Sequence, residues 1–217
     1  METKRQSPVL RAHLLRMTML TQRAVDHAIK AYELLDPEFC GLMNKSEQEW
    51  RGIQRTIGNR GRRLLAAGLA VDTDSLIARC VVRIFGALRT SYIAATEITH
   101  NSLLLAESGQ TDGSEPIRRM GRLVNGLVRQ CTVALYEGMP HHAEAILRDV
   151  EGRRWFERIL ERTEEDLLQQ TSAQSRIEVA IARSLGQIAD QAYEIAEACT
   201  LWMHGRDSLA ILHRLAS

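Results

Sequence analysis

Apolar and small residues recur at intervals of three and four along most of this chain, which is the spacing of helices that bury one face. The clearest such seam lies near the C-terminal end, at Ile181, Leu185, Ile188, Ala192, Ile195, Cys199 and Trp202. Its strict alternation of four and three predicts a helix packed at coiled-coil angles. No segment shows the alternation of apolar and β-branched residues that is typical of strands. The sequence therefore predicts an all-α protein.

The helical pattern occurs twice. Moving back by about 97 residues from the last six positions of that seam reaches Leu88, Ser91, Ala95, Ile98, Ser102 and Leu105. A seam near the N terminus comprises Leu14, Met17, Thr21, Ala24, Ala28 and Ala31. Adding 103 to those numbers gives a matching seam at Ile117, Met120, Val124, Leu127, Cys131 and Ala134. We interpret the chain as two copies of one helical unit.

Proline, glycine and capping residues indicate where the helices end. The predicted helices cover 8–35, about 38–65, from a cap at 72, 73 or 74 to 106, from 116 onward, about 141–169, and from a cap at 171 or 172 to 205. Residues 107–115 (ESGQTDGSE) are polar and predict a linker. The first three helices are joined by short turns, and so are the last three. Neighbouring helices within each set of three therefore run in opposite directions. We therefore expect two tandem three-helix bundles over 8–106 and 116–206, with a frayed start over 1–7 and a helical tail over 207–217.

Net charge, cysteine content and the length of apolar runs limit the classes of protein to which this chain can belong. The formal net charge of the 217 residues is +1, so the chain has no strong field for DNA or a membrane surface. Four cysteines form no CxxC pair, and with no signal peptide we expect reduced thiols in a cytoplasmic protein, three of them on seams. No apolar run approaches the roughly 20 residues of a membrane span. We expect a soluble protein without membrane insertion.

Sequence signatures of catalysis are missing. The chain contains no GxGxxG, GxxxxGK[ST] or GxSxG pattern. Glu97-x-x-His100 is half of the signature of di-iron bundles, but that fold needs a second Glu-x-x-His and two further glutamates. The chain has no second copy. We expect no enzyme, no catalytic residue and no cofactor-binding residue.

Two features of helices two and five have alternative interpretations. The arginines of helix two form either a solvated face or a contact for an acidic partner or a phosphate: Arg51, Arg55, Arg60, Arg62 and Arg63. No aromatic residues are interleaved with them, so nucleic acid is not expected. Trp50 lies on a seam and is expected in the core. Trp155 is followed by Phe156, so one of this pair is expected to face outward and contribute to a dimer contact.

The residue pattern of the last long helix resembles that of the PhoU family of phosphate-signalling proteins. The family's motif there reads like ARSIERIGDRxxNIxE with a glycine about eight residues later. This chain matches it at Ala182, Arg183, Ser184, Ile188, Asp190, Ile195, Glu197 and Gly205. The end of helix one, AVDHAIKAYELLDPE, is also typical of the family.

This resemblance implies a fold of two PhoU domains, each a three-helix bundle. It implies a cytoplasmic, commonly dimeric negative regulator of phosphate uptake. Such proteins are thought to connect the ATPase of the phosphate ABC transporter to a membrane-bound sensor histidine kinase.

The resemblance also implies metal sites made by two acidic motifs, E(D)xxxD, on the second and third helices of each bundle. Carboxylates four apart on neighbouring helices suit hard or borderline cations, here Fe, Zn, Mn or Mg. In the second bundle the four positions hold Glu157, Glu161, Gly186 and Asp190, so three carboxylates remain. In the first bundle they hold Gln54, Gly58, Arg89 and Ile93. We expect metal, if any, at Glu157, Glu161 and Asp190; the alternative is a solvated face paired with Arg158 and Arg162.

Two other functions stay open at this stage. One is a helical scaffold or dimerisation protein that serves another transporter, and the other is a metal-binding helical bundle.

Overall fold

Seven helices make up the part of this chain that the computed structural model describes. That part is residues 2–36, 38–67, 73–170 and 172–215, with side chains described over 12–36, 38–39, 41–43, 46–59, 76, 79–170 and 172–204. The helices are α1 (Glu2–Leu34), α2 (Glu38–Ala67), α3 (Thr73–Glu107), α4 (Glu115–Glu137), α5 (Pro140–Arg148), α6 (Val150–Leu168) and α7 (Ala173–Leu215). No strand occurs in these ranges. The prediction of an all-α fold is confirmed.

Three helix boundaries differ from the predictions. α1 already begins at Glu2, because the polar start contains the good helix formers Glu, Lys, Arg and Gln. The helix expected over 141–169 is two helices, α5 and α6. α7 runs unbroken through Gly205 to Leu215, so residues 207–215 are not a separate helix. A single glycine costs a helix only about 1 kcal/mol relative to alanine, which so long a helix tolerates.

The break between α5 and α6 lies at Asp149. Its backbone leaves the helical region at φ −78° and ψ 62°. Its carboxylate accepts a hydrogen bond from the backbone N–H of Gly152 at 2.9 Å. Aspartate competes for backbone donors in this way and so favours helix starts over helix interiors. The helix that follows buries Phe156, Thr163 and Leu167.

Four of the helices form a central bundle, and the other three pack on its outside. Each of α1, α3, α4 and α7 contacts two others of this set, in the order α1–α3–α7–α4–α1, and the α3–α7 contact is the most extensive. α2 packs against α1 and α3, while α5 and α6 pack against α7 and α4. The four central helices therefore join the first repeat (α1–α3) to the second (α4–α7).

The α3–α7 pair is antiparallel and follows the internal repeat. Near the start of α3, Arg83 Nη2 lies 2.6 Å from Glu194 Oε2 and 2.9 Å from Glu197 Oε2. Further along α3, Glu97 Oε2 accepts a hydrogen bond from Ser184 Oγ at 3.2 Å. The 97-residue shift carries Glu97 onto Glu194, so each repeat contributes the same glutamate to the other's helix. The two repeats are thus arranged about a pseudo-twofold axis, and their exact limits as domains stay a prediction.

A close approach of α1 to α4 supports the same arrangement. A Cβ added at Gly121 would lie 3.1 Å from Ile29 Cγ2, so glycine lets the two helices touch there. Beside this contact, Asn125 Nδ2 donates a hydrogen bond to Asp26 Oδ1 at 3.1 Å. Because lower numbers of α1 meet higher numbers of α4, this pair is antiparallel as well.

The core is continuous through both repeats, and the predicted seams line it. All members of the α1 seam are buried, and so are those of the α4 seam except the partly buried Leu127. In α7 the seam is buried from Ile181 to Cys199, and Trp202 is partly buried. The α3 seam is buried from Leu88 to Leu105. The buried hydroxyls of Thr99 and Ser102 are satisfied within α3, where they donate to the carbonyls of Ala95 at 3.0 Å and of Ile98 at 2.8 Å.

A buried polar cluster fastens the linker to both repeats. Tyr32 is 2% exposed, and its hydroxyl donates to Glu178 Oε1 on α7 at 2.8 Å. The same hydroxyl accepts from the backbone N–H of Ser114 at 2.7 Å. A Cβ at Gly113 would lie 2.5 Å from the Tyr32 ring, so the linker can press against it only with glycine at that position. Burial raises the pKa of Tyr32, so the phenol stays a donor at neutral pH.

Replacing Tyr32 by phenylalanine tests this cluster. The change removes the donor of a buried carboxylate and the acceptor of a buried N–H, which costs about 1–3 kcal/mol per unsatisfied group. We expect urea unfolding to show Tyr32→Phe destabilised by about that amount. The control is Tyr136→Phe, whose side chain is 66% exposed and should lose little. Equal midpoints for the two variants would contradict a stabilising role for the cluster.

Candidate functional site

The three carboxylates expected to bind metal lie on neighbouring helices but have different surroundings. Glu157 is on α6, and its Oε1 accepts from Arg153 Nε at 3.2 Å. Asp190 is on α7, where burial raises its pKa; Arg153 opposes this and the negative charge of Glu157 adds to it. Glu161 lies one turn beyond Glu157 and is exposed. The charges of Arg153 and Glu157 therefore both act on Asp190.

The fourth position of the acidic set is filled by a hydrophobic contact. A Cβ added at Gly186 would lie 2.7 Å from Leu160 Cδ2, so Leu160 occupies the space of a side chain at position 186. In the first repeat a Cβ at Gly58 would lie 3.7 Å from the Phe85 ring. Each repeat thus places a glycine against a large apolar side chain at one of these positions.

The positions of the candidate ligands bear on the metal prediction. Across the residues described, no group of three or more His, Cys, Asp or Glu side chains is placed to hold a metal ion. The reason is visible in the packing, because Leu160 lies where the fourth ligand would be and Arg153 pairs with Glu157. Metal at Glu157, Glu161 and Asp190 stays a prediction for experiment.

An open groove of about 690 Å³ lies beside these positions, between α3, α6 and α7. It is lined by Glu97, Asn101, Leu160, Glu164, Arg176, Val179, Ala180, Arg183, Ser184, Gly186, Gln187 and Asp190. Its charges are already partly paired, since Arg183 lies 3.2 Å from Glu164 and Ser184 donates to Glu97. A wide groove with an apolar floor and a rim of both signs suits contact with another protein.

The other predicted positions are placed as follows. Trp50 is 4% exposed, stacks on Tyr92 at 4.1 Å between ring centroids and donates to Thr21 Oγ1 at 3.4 Å, which confirms it as a core residue. Phe156 is buried, and Trp155 is the half-buried member of its pair, so Trp155 is the one that faces outward. Its part in a dimer contact stays a prediction.

The seam cysteines are packing residues. Cys80, Cys131 and Cys199 are free and buried on α3, α4 and α7; the side chain of Cys40 lies outside the described residues. Burial raises the pKa of Cys131 to about 12 and raises that of Cys199 further, with the two neighbouring thiols adding to the effect. Thiols with such pKa values stay protonated and are poor nucleophiles.

The basic face of helix two is partly described. Arg51 pairs with Glu47 one turn earlier on α2, and Arg55 is exposed. The side chains of Arg60, Arg62 and Arg63 lie outside the described residues.

Sequence reasoning missed one feature of the second repeat, the pocket at the α5–α6 break. A signal for it exists, since the 103-residue shift carries the seam residue Trp50 onto the charged Arg153. A charge at a seam position is a reason to expect that the helix turns a different face to the core.

Comparison with known proteins identifies the fold. No protein-family model matches this sequence, and no curated protein gives a significant sequence match. The crystal structure of PhoU from Pseudomonas aeruginosa matches with a TM-score of 0.80 over 93% of this chain and 99% of that chain, at 20% identity. The phosphate transport system regulatory protein PhoU from Streptococcus pneumoniae matches with a TM-score of 0.68 over 90% and 94% of the two chains, also at 20% identity. The chain therefore has the all-α fold of PhoU proteins.

The helices carry no membrane-spanning segment within the described ranges. None of them combines the length and the apolar character that crossing a bilayer requires.

The variant Gly186→Asp tests whether Leu160 occupies the space that a carboxylate at position 186 would need. The new side chain must displace Leu160, and overpacking of this kind costs about 1–3 kcal/mol. We expect Gly186→Asp to unfold at lower urea concentration, and the added change Leu160→Ala to restore part of that loss in a double-mutant cycle. Gly86→Asp is the control, because a Cβ there meets no atom within 4 Å. If both aspartate variants are equally stable, Leu160 does not close the site.

Elemental analysis of the purified protein tests the metal prediction. If it holds, the protein carries close to one equivalent of Fe, Zn, Mn or Mg, and Asp190→Ala removes it. Asp166→Ala, an exposed carboxylate on α6, should leave the metal in place. The double variant Gly186→Asp, Leu160→Ala should bind more tightly because it supplies a fourth oxygen ligand. Metal-free wild-type protein would end the prediction.

Proposed function

We propose that this chain is a PhoU-like regulator of phosphate uptake and phosphate-responsive signalling. In this proposal it is a cytoplasmic, non-catalytic adaptor between the ATPase of the phosphate ABC transporter and a sensor histidine kinase. The observation that carries the proposal is that the structural likeness to PhoU spans both repeats and nearly the whole of each protein. One of the two matched proteins is a phosphate transport system regulatory protein.

The outer helices of the two repeats supply surfaces of opposite charge, which suits an adaptor with two different partners. α2 carries six basic and three acidic residues, a net charge of +3. α6 carries four basic and six acidic residues, a net charge of −2. Both helices pack on the outside of the central four, so the pseudo-twofold arrangement presents them at a fixed separation. Complementary charge steers association and discriminates between partners.

Homodimer formation belongs to the same proposal. The half-buried Trp155 and the exposed Leu123 lie close together on the α4–α6 side and provide apolar surface for it. Light scattering of the purified protein should give twice the mass of the 24.5 kDa chain. A monomer at all concentrations would remove this part of the proposal and leave the adaptor role untouched.

Deleting the gene and recording phosphate-responsive transcription tests the regulatory role. Loss of a negative regulator should raise expression of phosphate-uptake genes in phosphate-replete medium, and a plasmid copy should reverse the change. If the deletion leaves phosphate-responsive transcription unchanged, the phosphate role is wrong.

Charge-reversal variants in a pull-down then separate the two surfaces. Arg51→Glu with Arg55→Glu alters α2, and Glu161→Arg with Glu165→Arg alters α6. We expect each pair of changes to weaken capture of one partner and spare the other, so each is the control for the other. Recovery of neither the kinase nor the transporter ATPase by wild-type protein would favour a scaffold that serves another transporter.

A further inference from the structure

We propose that the pocket between α4 and the α5–α6 break binds a small planar aromatic molecule about the size of indole, with an N–H or O–H group at its edge. This inference goes beyond the regulatory function and uses residues outside the acidic set. It does not depend on a role in phosphate signalling. It is an alternative to the dimer contact proposed at Trp155 and Leu123, because a ligand and a second copy of the chain cannot occupy the same surface.

The pocket has the size and composition of a ligand site. Its volume is about 320 Å³, at the lower end of the range for small-molecule sites, roughly 300–1,000 Å³. It is lined by Arg122, Leu123, Gly126, Leu127, Gln130, Ala145, Ile146, Asp149, Gly152, Trp155, Phe156 and Tyr193. Most of these side chains are apolar or aromatic, and the three polar ones, Arg122, Gln130 and Asp149, are the kind that orient a ligand.

The first repeat carries charged side chains at the positions that correspond to two glycines of the pocket. There Glu49 lies on α2 and pairs with Arg16 of α1 at 2.6 Å, and the charge of Arg23 also acts on Glu49. The 103-residue shift carries Arg23 onto Gly126 and Glu49 onto Gly152. Both glycines line the pocket, so the second repeat lacks the charged side chains that the first repeat carries at these two positions.

Open space remains at one of these glycines. A Cβ added at Gly126 would meet no atom within 4 Å. In the middle of a helix, alanine is more stable than glycine by about 1 kcal/mol. Since no neighbouring atom would exclude a methyl group at position 126, the packing of α4 does not require glycine there. The open volume is thus a property of the pocket.

The walls indicate an aromatic ligand. Three aromatic residues, Trp155, Phe156 and Tyr193, line the pocket. The guanidinium carbon of Arg153 lies 4.6 Å from the Tyr193 ring centroid. Arg119 lies 4.6 Å over the Trp155 ring and holds it in place. Aromatic pairs gain about 0.5–1.5 kcal/mol beyond their buried area, which favours a flat aromatic guest over an aliphatic one.

The rim supplies acceptors for the ligand's edge. Asp149 uses one carboxylate oxygen to cap α6, at 2.9 Å from Gly152 N. Its exposed carboxylate and the exposed amide of Gln130 both line the mouth. An N–H or O–H at the edge of a ring seated in the pocket has an acceptor there.

Titration of protein labelled with 15N at tryptophan tests the proposal, with unlabelled indole as the probe. The chain has three tryptophans, so the spectrum contains three indole N–H signals. We expect the Trp155 signal to move and saturate, while that of the buried Trp50 stays in place. Cyclohexanol, a ring of similar size without aromatic faces, should bind at least about threefold more weakly.

A matched pair of glycine variants checks the location. Gly126→Leu puts a side chain into the pocket and should weaken indole binding at least about tenfold, since its volume excludes the ring. Gly86→Leu puts the same side chain into open space on α3 and should bind as wild type. Thermal melts confirm that both variants fold, and Gly126→Ala replaces Gly126→Leu if the latter does not. A wild-type Trp155 signal that does not saturate, or equal binding by the two leucine variants, overturns the proposal.

Discussion

The antiparallel contact between α3 and α7 is the constraint on which the rest of the structure depends. Two helical repeats can share one core only if each presents a helix face whose side chains are small enough for close approach. The seams of these two helices provide it through alanine, serine and cysteine at buried positions. With that contact made, α1 and α4 meet on the other side of the core, where Gly121 removes the side chain that would keep them apart. A continuous core of this kind ties the stability of each repeat to the other.

The two repeats have diverged most where they do not face each other. α2 is a single helix with Trp50 in the core, whereas its counterpart is broken at Asp149 and turns Phe156 inward. The break costs backbone hydrogen bonds at one point, and the capping bond from Gly152 to Asp149 offsets part of that loss. Outer helices tolerate such changes because half of their surface lacks a packing partner. The helices at the pseudo-twofold axis are constrained on every side.

The positions compared with the acidic motifs are not all on the surface. Glu157, Glu161 and Asp190 are exposed, whereas Gly186 is buried against Leu160. A glycine beside a large apolar side chain, as at Gly186 and Leu160, then brings α6 closer to α7. Under the proposed function, both partners recognise the spacing and charge of the outer helices.

The sequence by itself determined the all-α class, the repeat, most helix ends and nearly all of the core. These follow from local spacing, because a buried helix face must recur every three or four residues wherever the helix lies. Only the tertiary structure decided that α3 packs on α7 in the antiparallel sense and that Leu160 fills the place of a fourth carboxylate. It also decided that Gly126 and Gly152 open a pocket between aromatic walls. Each of these depends on which side chains from distant parts of the chain meet across a gap of a few ångströms, and periodicity along one helix carries no information about that.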